Sequence, residues 1–144
     1  MAEQNGLRVR LVTPERVLFE AVADAVELPA KNGYMEVLFG AAPLLAELGA
    51  GDVVIHGGRG ESVAQGDSRY NVSWGFVEVL PDRVTILASD ALKPEEINVA
   101  RAKEQLERGQ KEWNEAGDRE EAYTEALHVI AEAEAKLATA AEKH

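Results

Sequence analysis

The side chains that most often bind metals or catalyse reactions are sparse in this sequence. It contains three histidines, His56, His128 and His144, and no cysteine. No two histidines have the spacing of a metal-binding pair, and none lies in a recognisable acidic motif. The absence of cysteine excludes disulfides, thiolate nucleophiles and iron–sulfur ligands. We therefore interpret the three histidines as structural or surface residues and predict no metal site.

The sequence gives equally little support for a serine nucleophile, a catalytic pair of carboxylates or a phosphate-binding loop. No Gly-x-Ser-x-Gly motif surrounds any serine. The 26 acidic residues are too numerous for one pair to indicate acid–base catalysis, so solvated surface charge is the simpler interpretation. The glycine-rich residues 57–60 lack the Gly-Lys-Ser/Thr ending of a phosphate loop and predict a turn between two strands. No catalytic motif is therefore recognisable in the sequence, and a small enzyme that uses scattered carboxylates remains one alternative.

The composition narrows the classes of partner. The chain has 144 residues, of which 46% are hydrophobic, and 15 basic against 26 acidic residues give a net charge of -11. This acidity argues against binding to nucleic acid or to anionic membrane surfaces. No apolar run reaches the roughly 18–20 residues of a membrane span, and residues 1–6 show no export signal. We therefore expect an intracellular protein.

Residues 1–90 have the pattern of β-strands. Leu7, Val9 and Leu11 alternate with two arginines, which is typical of a half-buried strand. Further short β-rich runs lie at residues 22–28, 53–55, 61–65, 70–74, 76–79 and 84–87. Turn residues separate the runs at Thr13-Pro14, Asn32-Gly33, Gly51-Asp52, residues 57–60, Gly66-Asp67 and Pro81-Asp82. Many short strands at regular spacing predict an antiparallel β-sandwich or barrel.

Residues 91–144 have the pattern of two helices. Pro94 is expected as the first helical residue, Gly117 is expected to end this helix, and Asp118 is expected to cap the next. Apolar residues recur on one face of each helix, at Val99, Ala102, Leu106 and Trp113, and at Tyr123, Ala126, Leu127, Ile130, Ala133, Leu137 and Ala140. We predict an antiparallel two-helix hairpin. Its alanine-rich stripes bury little area, which makes it marginally stable by itself.

Six short segments, taken together and in order, form a more specific pattern than any one segment does by itself. They are residues 7–16, 22–29, 42–45, 75–79, 81–88 and 96–102, of which Gly-Phe-Val-Glu-Val at residues 75–79 is the most distinctive. In this order they resemble the epsilon subunit of F-type ATP synthases, over about residues 7–140. The resemblance implies an N-terminal β-sandwich of about ten strands followed by a two-helix hairpin.

The resemblance also implies a function. The family's subunit belongs to the rotor, where it links the gamma subunit to the c-ring so that proton flow is coupled to ATP synthesis. Its C-terminal helices can also inhibit ATP hydrolysis at the alpha and beta subunits. No cofactor is required, and the membrane is contacted only through the rotor. The missing targeting segment favours the cytoplasmic face of a bacterial plasma membrane over a plastid thylakoid. The alternative is a stand-alone β-sandwich binding module with a helical tail.

Family members that bind ATP carry an Ile/Leu-Asp-x-x-Arg-Ala pattern at the start of the first helix. The matching positions are Ile97, Asn98, Arg101 and Ala102, and Arg108 matches a second family arginine. Here Asn98 replaces the aspartate. The second helix also departs from the family, because it carries His128, Glu132 and Glu134 where arginine or lysine is common. An acidic helix repels ATP, so we expect the chain to bind ATP weakly or not at all.

The resemblance implies rotor contacts at Lys31, Phe39, Ala41 and Pro43. Typical members have Gly-Val-Leu-Pro-Gly-His-Ala-Pro-Leu where residues 36–44 read Glu-Val-Leu-Phe-Gly-Ala-Ala-Pro-Leu. Phe39 thus replaces a proline, and Ala41 replaces a histidine. Two interpretations of Phe39 remain open. An exposed Phe39 is a natural anchor for a partner, whereas a Phe39 buried under its loop contributes only to stability.

Overall fold

The computed structural model describes residues 6–60 and 66–142, which form two compact units dividing between Leu92 and Lys93. Unit 1 contains the strands β1 (Leu7–Val12), β2 (Val17–Ala23), β3 (Ala25–Ala30), β4 (Gly33–Leu38), β5 (Leu44–Gly58), β6 (Gly66–Leu80) and β7 (Arg83–Leu92). Unit 2 contains a short 3-10 helix (Pro94–Glu96), α1 (Val99–Ala116) and α2 (Glu120–Glu142). The predicted β-sheet domain followed by two helices is therefore confirmed. Among the described residues, no helix has the length and apolar character needed to cross a membrane.

The strands form one sheet in the order β2-β1-β7-β6-β5-β3-β4. Neighbouring strands are antiparallel except β1 and β7, which run parallel from the pair Arg8–Arg83 to the pair Val12–Leu87. The prediction of an antiparallel sheet is corrected for this pair. Strands from opposite ends of the unit meet here, and a periodicity-two pattern carries no information on which strands become neighbours.

The described sheet has seven strands rather than about ten because β5 and β6 are each 15 residues long. Gly51-Asp52, a predicted turn, lies inside β5, and Gly66-Asp67 lies inside β6. The predicted runs 70–74 and 76–79 are both parts of β6. They join at Trp74 and Gly75, whose φ angles of 57° and 128° mark a bend within one strand. The predicted run 61–65 lies outside the described residues.

The long strands allow the sheet to fold over on itself. Residues 44–48 of β5 pair with the second half of β6, while residues 54–56 pair with β3. Val22 of the edge strand β2 forms an isolated bridge with Arg59, just beyond β5, so β2 meets the end of a strand four places away in the sheet. The inward side chains form one core whose largest fully buried members are Phe19, Leu7, Leu11, Leu28, Ile55 and Ile86. This closure produces the predicted sandwich and leaves outward side chains available for partners.

The helices of unit 2 start later than the sequence pattern predicts. Pro94 opens the 3-10 helix, in which the Lys93 N–H donates a hydrogen bond of 2.8 Å to Glu96 Oε1. α1 starts at Val99 because Asn98 acts as its N-cap, and it ends before Gly117 as predicted. α2 starts at Glu120, one residue later than a cap at Asp118 would place it. Both helices form, and α1 packs along α2 in the predicted hairpin.

Candidate functional site

The connection between β4 and β5 and the strand ends beside it carry exposed apolar side chains. The Phe39 side chain is 43% exposed, so it is not buried under its loop. Three exposed leucines flank it in the chain, Leu38, Leu44 and Leu45. We call Phe39 and these leucines the loop patch. The Gly40 N–H donates a hydrogen bond of 2.6 Å to the Pro81 carbonyl oxygen, which ties this connection to the turn between β6 and β7.

The other residues expected at rotor contacts have different surroundings. Pro43 is exposed on the same connection as Phe39, whereas Ala41 is half-buried and packs against the core. Lys31 lies on the turn between β3 and β4, where its Nζ is 3.3 Å from Glu47 Oε2. The structure therefore gathers Phe39, Ala41 and Pro43 on one connection and places Lys31 on a separate turn.

A second apolar surface crosses the outer face of four strands, and sequence analysis missed it. Phe76 of β6 pairs with Leu87 of β7, Leu87 pairs with Val12 of β1, and Val12 pairs with Val17 of β2. Phe76 is 51% exposed and Leu87 is 49% exposed. We call these four residues the outer row. An open groove beside it is lined by Thr13, Pro14, Gly75 and Ala88.

The sequence does contain a signal for the outer row. Val77 and Val79 are buried, and alternate residues of a strand point to opposite faces. Phe76 must therefore point outward together with Glu78. In a strand, a large apolar residue two positions from a solvent-facing glutamate lies on the same face. This spacing therefore indicates an apolar side chain exposed to solvent.

The positions matched to the family's ATP pattern lie at the start of α1. Asn98 Oδ1 accepts a hydrogen bond of 3.0 Å from the Arg101 N–H, so the asparagine side chain caps the helix. Ala102 is buried and Ile97 is half-buried, whereas the side chain of Arg101 is exposed. Arg108, also exposed, lies 3.7 Å from Glu112 Oε1. The two arginines are seven residues apart, about 10.5 Å along the axis and on nearly the same face.

An acidic side chain of α2 lies between the two helices. Glu132 Oε2 accepts a hydrogen bond of 3.0 Å from Gln105 Nε2, and Glu132 Oε1 lies 3.1 Å from Lys136 Nζ. His128 and Glu134, which the sequence comparison singled out with Glu132, are exposed. Glu132 is thus held between Gln105 of α1 and Lys136 of α2.

One histidine has surroundings that sequence analysis did not anticipate. His56 Nε2 lies 2.6 Å from Glu27 Oε2, and its Nδ1 lies 3.2 Å from Asp67 Oδ2. The hydrogen bond to Glu27 is the main cause that raises the pKa of His56 above its ordinary value. The hydrogen bond that Gly57 N–H donates to Asp67 Oδ1 at 3.0 Å lowers the pKa of Asp67. Each ring nitrogen of His56 therefore lies beside a carboxylate, an environment that the sequence pattern does not predict.

Unit 1 matches a known protein family. Residues 6–94 match the family model described as "ATP synthase, Delta/Epsilon chain, beta-sandwich domain". This match spans β1 to β7 and includes the loop patch, the outer row and His56.

Individual relatives extend the match to both units. The chain is 43% identical to the ATP synthase epsilon chain of Solibacter usitatus over 141 residues, covering 96% of this chain and 98% of the relative. It is 42% identical to that of Koribacter versatilis, over 74% of this chain and 71% of the relative. It is 35% identical to the chloroplastic epsilon chain of Chlamydomonas reinhardtii, over 71% and 72% of the two chains.

Solved structures share the fold. A chain in the cryo-EM structure of Euglena gracilis mitochondrial ATP synthase, OSCP/F1/c-ring, has a TM-score of 0.73 and 19% identity, covering 97% of this chain and 82% of that one. A chain of the Tetrahymena thermophila central stalk and c-ring structure has a TM-score of 0.52 and 18% identity, covering 64% and 69%. The family model and the relatives together show that the chain belongs to the ATP synthase epsilon chain family, whose members are non-catalytic subunits of the complex.

Proposed function

We propose that the chain links the gamma subunit to the c-ring in the central stalk of an F-type ATP synthase and thereby couples proton flow to ATP synthesis. The observation that carries this proposal is the presence of two exposed apolar surfaces, the outer row and the loop patch, on one unit. Two such surfaces suit a protein that holds two partners at once. The fold's occurrence in a structure that contains F1 and a c-ring, and in one of a central stalk with a c-ring, supports the same assembly.

We assign the outer row to the gamma subunit. Exposed apolar side chains on a strand face are the kind of surface that the core of a protein–protein interface buries. Phe76 and Leu87 supply such side chains on a flat strand surface, and the groove beside them can accept a partner side chain. Aromatic anchors of this kind carry much of the binding energy in protein interfaces.

The first experiment mixes the full chain with the gamma subunit of its own organism and measures the complex by size-exclusion chromatography with light scattering. We expect a one-to-one complex that Phe76→Glu weakens at least tenfold and that Glu78→Gln, on the same face of β6, leaves unchanged. Both residues are exposed, so neither variant disturbs the core. If two folded proteins form no complex at tens of micromolar, the rotor proposal fails and the stand-alone binding module becomes the better explanation.

We assign the loop patch to the c-ring. Its exposed leucines and Phe39 project from a connection that is fixed by the Gly40–Pro81 hydrogen bond, so little ordering is needed for binding. The test is retention of the chain on detergent-solubilised rotor containing gamma and c-ring. Leu45→Glu should reduce retention on the rotor while leaving the binary complex with gamma intact. Equal loss in both assays would show that the two surfaces act on the same partner.

We infer that unit 2 binds ATP weakly or not at all. The Asn98 side chain is engaged as a helix cap, and Glu132 places a carboxylate between the helices. The two exposed arginines of α1 are separated by about 10.5 Å along the helix axis, and Arg108 lies beside Glu112. Isothermal titration of ATP into the full chain should give no binding tighter than roughly millimolar, which corresponds to about −4 kcal/mol. A tighter dissociation constant would contradict this inference.

We further propose that the helices restrain ATP hydrolysis only weakly. The inhibitory extension in the family meets an acidic loop of the beta subunit, which the acidic α2 does not complement. Glu134→Lys changes the charge of an exposed position on α2 and should increase inhibition in a reconstituted complex. Glu134→Gln should have a smaller effect in the same direction. Unchanged hydrolysis with both variants would show that this part of α2 does not meet the beta subunit.

We place the complex at the cytoplasmic face of a bacterial plasma membrane. The support is the relative from Solibacter usitatus, which matches almost the full length of both chains at a higher identity than the chloroplastic relative. Fractionation of cells of the source organism should recover the chain with membranes. Washing at low ionic strength with chelator should release it together with other peripheral subunits. Recovery in the soluble fraction alone would contradict this placement.

A further inference from the structure

Strands that are distant in the sequence bring three metal-ligand side chains together on unit 1. Glu27 of β3 pairs across the sheet with Glu36 of β4. His56 lies on β5, the neighbour of β3 on its other side. One ligand atom of each of these three residues lies within 4.8 Å of the other two. The group thus consists of one imidazole and two carboxylates, brought together by the pairing of three adjacent strands.

The charge around this group is not balanced by the protein. Glu27, Glu36 and the adjacent Asp67 carry three carboxylates, and His56 is the only basic side chain among their contacts. Within residues 6–60 and 66–142, no lysine or arginine forms an ion pair with any of the three. Nearby cations are engaged elsewhere, since Arg59 pairs with Asp24 at 2.7 Å and Arg69 pairs with Asp52 at 2.7 Å.

The imidazole is oriented by a carboxylate that is itself held in place. Asp67 Oδ2 lies 3.2 Å from His56 Nδ1, and Asp67 Oδ1 accepts the hydrogen bond from Gly57 N–H. In metal sites, the ligating histidine almost always donates its other N–H to a carboxylate or a carbonyl, which fixes the ring. Here that arrangement directs Nε2 towards Glu27, while Nδ1 lies beside Asp67.

We propose that Glu27, Glu36 and His56 bind a zinc-like divalent cation, with Asp67 as the residue that positions the imidazole. One nitrogen and two carboxylate oxygens match zinc, which accepts both donor types, whereas magnesium and calcium prefer oxygen alone. Binding displaces the proton from Nε2 to solvent, and water completes the coordination. Two ligand atoms on a tetrahedral zinc lie about 3.3 Å apart. The 2.6 Å separation of Nε2 and Glu27 Oε2 must therefore widen, and the half-exposed glutamate can allow this.

The consequence of this site is a bond between strands. A cation shared by β3, β4 and β5 and positioned from β6 would join four neighbouring strands of the sandwich. Since only the folded sheet brings the three ligands together, zinc should bind the folded state and raise the melting temperature of the full chain. Magnesium at the same concentration should not.

The experiment titrates zinc chloride into the full chain by isothermal calorimetry in a buffer that does not bind zinc. We expect one zinc per chain. His56→Gln should abolish this binding, Glu36→Gln should weaken it at least tenfold, and Asp67→Asn should weaken it about tenfold. Glu36→Gln is the most informative variant, because in the described structure its side chain makes no hydrogen bond or ion pair that the change would break.

Two matched controls separate this site from general binding to an acidic protein. His128→Gln removes a histidine on α2, and Glu78→Gln removes an exposed strand glutamate on β6. Both should leave zinc binding unchanged, and circular dichroism should show that every variant is folded. The proposal is overturned if His56→Gln or Glu36→Gln binds zinc as the unmodified chain does, or if magnesium competes with zinc at equal concentration.

Discussion

Gly109 of α1 lies directly against Ile130 of α2. A Cβ atom placed on Gly109 would come within 2.8 Å of Ile130 Cγ1 and 3.0 Å of Val129 Cγ1, closer than side-chain contacts allow. The two helices therefore approach each other at the one residue of α1 that has no side chain. This contact adds to the alanine-rich stripes, and it explains how helices with little apolar area pack closely.

We expect Gly109→Val to destabilise the hairpin by about 1–3 kcal/mol, because overpacking forces the helices apart. The measurement is hydrogen exchange of the Val129 and Ile130 amides, which reports α2 without involving unit 1. Gln110→Ala, at an exposed neighbouring position, is the control and should leave exchange unchanged. Slower exchange in Gly109→Val would show that helix propensity outweighs the clash and that the close approach contributes nothing.

The cap of α1 gives a second prediction. Asn98→Ala removes the acceptor for the Arg101 N–H and should cost about 1 kcal/mol of helix stability. Asn98→Asp keeps an acceptor at the same place and adds a negative charge at the helix start, so it should be neutral or stabilising. Thermal melting of unit 2 followed at a helical wavelength would measure both. Equal loss from the two variants would mean that the amide nitrogen of Asn98, and not its oxygen, supports the helix.

Phe39 can be tested for contact and stability in one comparison. Phe39→Ala should leave the melting temperature nearly unchanged, because the ring is 43% exposed, and should weaken retention on the rotor at least tenfold. Val37→Ala, two residues earlier at a buried position, should do the reverse and cost about 2 kcal/mol of stability. A lower melting temperature with unchanged rotor retention in Phe39→Ala would assign the ring to packing.

The bend in β6 depends on a glycine. Gly75 has φ of 128°, and a Cβ there would overlap the backbone carbonyl oxygen of Leu87. Gly33 has a similar φ of 135° with no atom within 4 Å of such a Cβ. Gly33→Ala therefore measures backbone strain alone, about 1–3 kcal/mol. Gly75→Ala adds the collision and should cost clearly more in chemical denaturation. Equal costs would show that β7 moves aside without penalty.

The sequence predicts where strands, turns and helices lie better than it predicts which strands pair with one another. The strand at Leu7, the turn at Pro81-Asp82 and the end of α1 at Gly117 follow from local residue types, and the structure confirms them. The prediction of a turn at Gly51-Asp52 is wrong, because a glycine can mark a bend inside a strand as well as the end of a strand. The parallel pairing of β1 with β7 depends on contacts between the two ends of the unit, which no local pattern encodes.

The same distinction explains the candidate sites. The apolar residues of the outer row can be recognised once the phase of β6 is set by Val77 and Val79. The group around His56 cannot be found in this way, since Glu27, Glu36 and His56 lie on three strands that become neighbours only in the folded sheet. The sequence shows that Asn98 departs from a nucleotide-binding pattern. Only the structure shows that its side chain caps α1.

β5 and β6 run without interruption through both halves of the folded sheet. Sandwiches whose halves touch only through side chains can slide along that interface when they are twisted. If the chain couples rotation as proposed, a torque applied to the outer row would enter β6 and continue along its covalent backbone, past the bend at Gly75, into the other half of the sandwich. Unit 1 should therefore respond to shear as a single stiff body. It should yield first at the hydrogen bonds at the ends of the sheet, before its hydrophobic core is disrupted.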